Sequence, residues 1–261
     1  SAASDVYKRQ NKDVSGMELD DVVKLIKNKK KVNIIVKRDN KEKEITLKQN
    51  TVVIPSVSSR IVESNNKKVG VLNVSIFAAN TYKQFKNKLD DLENKKIDSL
   101  IIDVRQNSGG HLDQVSKILS LFMKQDKVIY QIKTKKGVEK YYSTGKKSKN
   151  YNVVVLIDNG SASASEILAA AMNESYGATL IGEKTYGKGT VQKEYMLSSG
   201  ASIKYTVEKW FTPKGKSING KGISPTIEVA LSDEYANNPT DENDNQLQEA
   251  IKFLTEEKKT N

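Results

Sequence analysis

The chain has 261 residues, 37% hydrophobic and 29% charged, ordinary proportions for a folded protein with room for one large domain and part of another. Its 43 Lys and Arg against 32 Asp and Glu give a formal charge of +11, but the lysines lie singly and in pairs among Asn and Glu without an aromatic-interleaved basic stripe, so a solvated surface is expected and no nucleic-acid partner. No cysteine and a single histidine, His111, exclude disulfides, thiolate nucleophiles and His-built metal clusters, and no apolar run approaches the about 18 residues of a membrane span.

Residues 1–10, "SAASDVYKRQ", lack the apolar segment of a signal peptide. Back-translated, they resemble an adapter used to build sequencing libraries. They are set aside as non-native, with the natural sequence expected to begin near Asn11 and any upstream leader or anchor cut away. From Asn11 to Asn50 the pattern is helix, strand, strand. Met17, Leu19, Val22, Val23, Leu25 and Ile26 fall near helical spacing, with Ser15 as the expected cap. "KVNIIVKRD" and "KEKEITLKQ" are β-rich and meet at the Asp39–Asn40 turn signal. A segment of about forty residues is marginal as an independent core.

Residues 51–68 read as a polar connector containing Pro55, and residues 69–261 as the main domain. The strand "VGVLNVSIF" precedes a helix with Tyr82, Phe85, Leu89 and Leu92 at helical spacing. "SLIIDVR" and "YNVVVLID" are near-continuous apolar runs, as expected of strands covered on both faces. Between them a Gly109–Gly110 turn leads into the helix "LDQVSKILSLFMK". The second apolar strand delivers "NGSASASEILAAAMNE", three serines at alternate positions, to the start of another helix. Beyond Ala178 the chain is β-rich, with a Gly-rich loop "SINGKGISP" before a terminal helix. Repeated alternation of strand and helix predicts a mixed α/β core with some parallel pairing and a β-rich C-terminal part.

The serine run supports two readings. Ser163 stands three before Glu166, the spacing of a capping box. The segment is also strand, tight turn and helix, which holds a nucleophile at the top of a sheet beside a positive helix end, although the G-x-S-x-G spacing is absent. A serine nucleophile needs a base, and His111, at a helix start after "NSGG", reads as a capping or exposed residue. Lysine replaces histidine in some serine enzymes, provided burial keeps it neutral. Lys188 lies between Gly187 and Gly189 in "TYGKGTVQ" before a β-like segment, and as a strand opener it would share a face with Thr190 and Gln192. A glycine hairpin carrying a surface lysine has the same sequence. Oxyanion donors would come from the backbone N–H groups of Gly109, Gly110 and Ala164.

The motifs "DVRQNSGG", "GSASASEILAAAM", "GEKTYGKGTVQ" and "FTPKGKSINGKGISP" resemble, in order and spacing, those of the C-terminal processing peptidases, or tail-specific proteases, over about residues 11–255. The resemblance implies Ser163 as nucleophile, Lys188 as base 25 residues later and Gln192 as its support, with Ser108 where the family commonly has proline. Ser161 and Ser165 are then structural. It implies a protease core of ClpP/crotonase-like type, and "SGMELDDVVKLIKNKKKVNIIVKRDNKEKEITL" resembles the second half of a PDZ domain, its groove helix and last two strands. It further implies an extracytoplasmic protein, secreted or membrane-associated, that cleaves polypeptides near accessible C-terminal tails without metal or other cofactor. A membrane anchor upstream and a homo-oligomer stay open, and so does a non-catalytic tail-binding scaffold of the same fold.

Overall fold

A computed structural model describes residues 5–9, 12–27, 29–38, 41–48, 53, 55–134 and 137–256. The chain divides into two compact units, Ser1–Ile54 and Pro55–Asn261.

In the first unit the strands β1 (Asp5–Arg9), β2 (Lys12–Asp13), β3 (Lys31–Arg38) and β4 (Lys41–Lys48) form an antiparallel sheet ordered β2-β1-β3-β4, with helix α1 at Leu19–Ile26. The segment set aside as adapter-like forms β1, so β3 has partners on both sides. One expectation is corrected. Ser15 does not cap α1, which starts after Glu18. Its N–H donates instead to Asp13 Oδ1 at 2.8 Å, an Asx turn that Gly16 follows at φ 75. The Asp39–Asn40 turn lies outside the described residues.

The second unit is built on a six-stranded sheet. Its strands are β5 (Val57–Ser64), β6 (Lys67–Val74), β7 (Ser99–Asp103), β10 (Asn152–Ile157), β11 (Thr179–Gly182) and β14 (Ile227–Glu228), ordered β14-β11-β10-β7-β6-β5. All neighbours are parallel except β5, which is antiparallel to β6. β5 falls inside the expected connector. Asn65 and Asn66, at φ 50 and 58, close the β5–β6 hairpin in the left-handed conformations that tight hairpin turns demand. A second sheet, ordered β12-β13-β8-β9, joins β8 (Val128–Thr134), β9 (Gly137–Tyr142), β12 (Thr190–Met196) and β13 (Ser202–Phe211). The β8–β9 hairpin is an addition to the elements read from sequence.

The apolar runs are continuous because both faces of the parallel sheet are covered. Leu100 and Ile102 of β7 face a core shared with α2 (Thr81–Asn94), α3 (Leu112–Phe122) and α4 (Ala164–Ala171), through Phe85, Leu89, Ile118, Phe122 and Leu168. Ile101 faces the other way, into a cluster with Leu247, Ala250, Ile251 and Leu254 of α6 (Asn245–Thr255); the short helix α5 (Asp233–Asn237) precedes α6. Arg105 fastens α6 to the end of β7. Its guanidinium bonds Asp103, Asp244 and Gln246 at 2.7–3.0 Å. Burial opposes its charge, but the bonds to Asp244 and Asp103 outweigh that and raise its pKa above the ordinary value. Asp244 also caps α6, accepting from Leu247 N–H at 2.9 Å.

Among the described residues of the first unit only Val14, Val22 and Val36 are buried apolar side chains. Amide exchange in β3 and β4 is therefore expected to be faster than in β6, β7 and β10. Native-state hydrogen exchange checks this; protection in β3 equal to that of β7 would contradict it.

Candidate active site

The neighbouring strands β11, β10 and β7 are parallel, so the loops that follow them leave from one edge of the sheet. In such sheets that edge is where ligands bind. The three loops are 104–111, 158–163 and 183–189.

The turn after β10 is organised by Asp158. Its Oδ1 accepts from the N–H groups of Gln106, Gly160 and Ser161 at 2.9–3.0 Å. Ser161 is buried and donates its hydroxyl to Val104 O at 2.8 Å, and Ser165, also buried, donates to Asn107 O at 2.7 Å. Both serines thus tie the turn to the loop after β7. Ser163 between them is half-buried and opens on a cleft, at φ 56 and ψ −114. A non-glycine residue held there is strained by about 1–3 kcal/mol and persists only when its surroundings over-determine it.

Glu166 supplies much of that determination. Its Oε2 accepts the Ser163 N–H at 2.8 Å, the reaching-back half of the expected capping box. The same oxygen accepts the Lys188 N–H at 2.9 Å. Oε1 accepts the Gly187 N–H at 2.7 Å and the Thr185 hydroxyl at 2.6 Å. Capping and site-building are thus one arrangement.

The lysine loop packs against the Gly-rich segment after β13. Gly187 N lies in a turn at φ 92, and a Cβ there would meet Gly222 N at 2.8 Å; one on Gly189 would meet Asn219 Cβ at 2.7 Å. The two glycines flanking Lys188 are needed because another backbone lies against them. Trp210, buried on β13, donates its Nε1–H to Lys188 O at 2.8 Å.

Ser163, Lys188, Thr190 and Gln192 line one cleft of about 260 Å³ with Gly110, Ala164 and Trp210, and with the apolar side chains of Leu112, Ile167 and Val191. Three details differ from expectation. Lys188 precedes β12 rather than opening it, and a bulge between Val191 and Gln192 breaks the two-residue alternation; both side chains still reach the cleft. The Gly109 N–H is already given to Asn107 Oδ1 at 2.9 Å, which leaves Gly110 and Ala164 as the backbone donors at the cleft. His111 is exposed and donates its N–H to Phe77 O at 2.8 Å; it is the flanking Gly110 and Leu112 that line the cleft. Sequence reasoning missed Trp210 and Asn107. A lone tryptophan in a strand and an asparagine in a loop carry no spacing signal, and only pairing across the fold brings them here.

Residues 68–229 match the family model described as peptidase family S41. The chain belongs to peptidase family S41. It is 37% identical over 244 residues to the carboxy-terminal processing protease CtpB of Bacillus subtilis (strain 168), covering 92% of this chain and 50% of that protein. With CtpA of the same organism the identity is 36% over 238 residues, with 90% and 50% covered. The chain therefore spans about half the length of these S41 relatives. Among solved structures, that of a photosystem II D1 C-terminal processing protease aligns with a TM-score of 0.63 at 25% identity, covering 86% of this chain and 62% of that one.

Beside this cleft Ser161 and Ser165 act as buried ties. Replacing Ser165 by alanine leaves Asn107 O without its hydroxyl donor and is expected to cost about 1–3 kcal/mol of stability. Urea denaturation measures it; no change in midpoint would mean that the tie contributes nothing.

Proposed function

We propose that the chain carries the catalytic part of a serine endopeptidase that cleaves polypeptides near their C-termini, with Ser163 as nucleophile and Lys188 as general base. The observation that carries this reading is the sorting of three serines: two are buried in structural hydrogen bonds, and the third, in a strained turn, shares a cleft with Lys188. Membership of family S41 and the similarity to carboxy-terminal processing proteases support it.

In this mechanism the Lys188 amine takes the proton of Ser163 Oγ as that oxygen attacks the scissile carbonyl carbon. The carbonyl oxygen becomes an oxyanion, received by the N–H groups of Gly110 and Ala164 beside the positive end of α4. The C–N bond then breaks, Lys188 passes its proton to the departing amine, and water attacks the Ser163 ester with Lys188 again as base. Gln192, on the cleft wall, orients the amine. Leu112, Ile167, Val191 and Trp210 give the cleft an apolar wall, which suits side chains of an extended polypeptide.

We take the core to be of the ClpP/crotonase-like type and residues 11–50 to be PDZ-derived. On this reading tail selection belongs to the whole PDZ domain of which residues 11–50 are the second half, through addition of the ligand to a sheet edge with its terminal carboxylate held by a loop outside residues 11–50.

Ser163→Ala and Lys188→Ala are each expected to lower peptide turnover by about 10²–10⁴-fold or more while the protein stays folded, since neither removes a large apolar volume. His111→Ala keeps most activity. Steady-state hydrolysis of a quenched fluorescent peptide checks all three; substantial turnover by Lys188→Ala would assign the base elsewhere. A non-catalytic scaffold of the same fold would fail to react with a fluorophosphonate while still binding tails. Tail selection is read separately, from a peptide substrate with a free C-terminal carboxylate and its amide. The full-length protein is expected to cleave the acid faster, and equal rates would leave an endopeptidase without tail preference.

A further inference from the structure

Glu166 is fully buried at the N-terminal turn of α4, and its carboxylate accepts hydrogen bonds from three backbone N–H groups and one hydroxyl. Three of the four donors, Thr185, Gly187 and Lys188, belong to the loop after β11. The fourth, Ser163, belongs to the turn after β10. A single oxygen, Oε2, lies within 2.9 Å of both the Ser163 and the Lys188 nitrogens. Those nitrogens start two residues that line the same cleft.

We propose that Glu166 is a positioning residue for the reaction: it sets the separation and mutual orientation of the Ser163 and Lys188 backbones, and so the geometry in which the hydroxyl proton passes to the amine. The inference rests on the serine–lysine reading above. It goes beyond helix capping, because a cap requires only the bond to the Ser163 N–H, whereas three of these bonds reach 19–22 residues along the chain.

The carboxylate form is the one that suits the site. All four partners approach as donors, and the Thr185 hydroxyl in turn accepts from Ile223 N–H at 2.7 Å. An amide in place of the carboxylate offers one acceptor oxygen. With that oxygen toward Ser163 and Lys188, its NH2 group faces the Gly187 N–H, donor against donor; turned over, it faces both Ser163 and Lys188. Glutamine therefore preserves part of the arrangement and alanine none of it. Peptide bonds held in place in this way fix φ at Ser163, where the strained conformation aims the side chain into the cleft. Misplacing reacting groups by about 1 Å can cost on the order of 10²-fold in rate without changing what binds.

The test uses the full chain and a peptidyl phosphonate ester that phosphonylates the nucleophile with loss of its ester alcohol, so that binding (KI) and bond formation (kinact) separate, with kcat and KM for a peptide in parallel. Wild type, Glu166→Gln, Glu166→Ala and Thr185→Val are compared, each checked for folding by its thermal transition. Thr185→Val removes one of the four bonds at nearly constant volume and serves if the Glu166 variants do not fold. The expected order of kinact is wild type, then Glu166→Gln, then Glu166→Ala, the last reduced about 10²-fold, with Thr185→Val reduced about 10-fold and KI little changed throughout. Wild-type kinact in any folded Glu166 variant, or in Thr185→Val if those do not fold, overturns the proposal, as does a loss that appears in KI alone. Ser163→Ala and Lys188→Ala run alongside. If they react like wild type, or if wild type does not react, the serine–lysine reading fails and this inference with it; if they are inert while Glu166 variants are normal, only this inference fails.

Discussion

A carboxylate buried in a protein interior must find partners there or leave it, since desolvation of an unsatisfied anion costs far more than folding can spare. Glu166 meets that constraint with four donors drawn from two loops, and the local architecture follows from it. The turn after β10 must curl tightly enough to aim the Ser163 N–H at the carboxylate. The loop after β11 must double back to offer three donors, from Thr185, Gly187 and Lys188. Room for that loop exists only because Gly187 and Gly189 lie directly on the backbone of residues 219–222. Asn107 does the corresponding work on the other side. Its carbonyl accepts from Ala162 N–H and the Ser165 hydroxyl, while its side chain accepts from Gly109 N–H and donates to Val74 O. Two buried polar residues, Glu166 through its side chain and Asn107 through its carbonyl, thus hold the lysine loop and the glycine loop to the same strained turn.

These loops have a rigid base because the strands beneath them are parallel, adjacent and buried on both faces. Each strand ends at the same edge, and each successive segment must cross back over a face, which α3 and α4 do on one side. The opposite face is closed by α6, anchored through Leu247 and Ile251 and through the Arg105 bonds to Asp103 and Asp244. Burying such an ion group is favourable only when its hydrogen bonds are complete, and here the guanidinium is shared among two carboxylates and the Gln246 side chain. The C-terminal helix therefore bears on the site indirectly, by fixing the end of β7 from which the glycine loop departs.

Much of this was legible in the sequence where the signal was chemical and local. The unbroken runs "SLIIDVR" and "YNVVVLID" announced strands covered on both faces, and Ser163 three before Glu166 announced a helix start. What was not legible depended on partners distant in sequence. The strand Val57–Ser64 was hidden by its polar alternation and by an Asn-Asn turn that reads like any loop. The second, antiparallel sheet was seen only in part, because β8 and β9 carry mixed patterns and take their place by pairing with β13. Capping accounts for one of the four bonds to Glu166; the other three come from a loop 19–22 residues later. Gly109 was expected to offer its N–H to a substrate, but the Asn107 side chain two residues earlier takes it, a local competition that residue spacing does not reveal.

The central claim is that Ser163, Lys188 and the donors at Gly110 and Ala164 form one reaction centre. A crystal structure of the chain after reaction with a peptidyl phosphonate tests it most directly. The account predicts phosphorus bonded to Ser163 Oγ, the phosphoryl oxygen about 2.7–3.1 Å from the nitrogens of Gly110 and Ala164, and Lys188 Nζ within hydrogen-bond reach of Ser163 Oγ. An adduct on another side chain, or one on Ser163 whose oxygen points to solvent with Lys188 turned away, would contradict it.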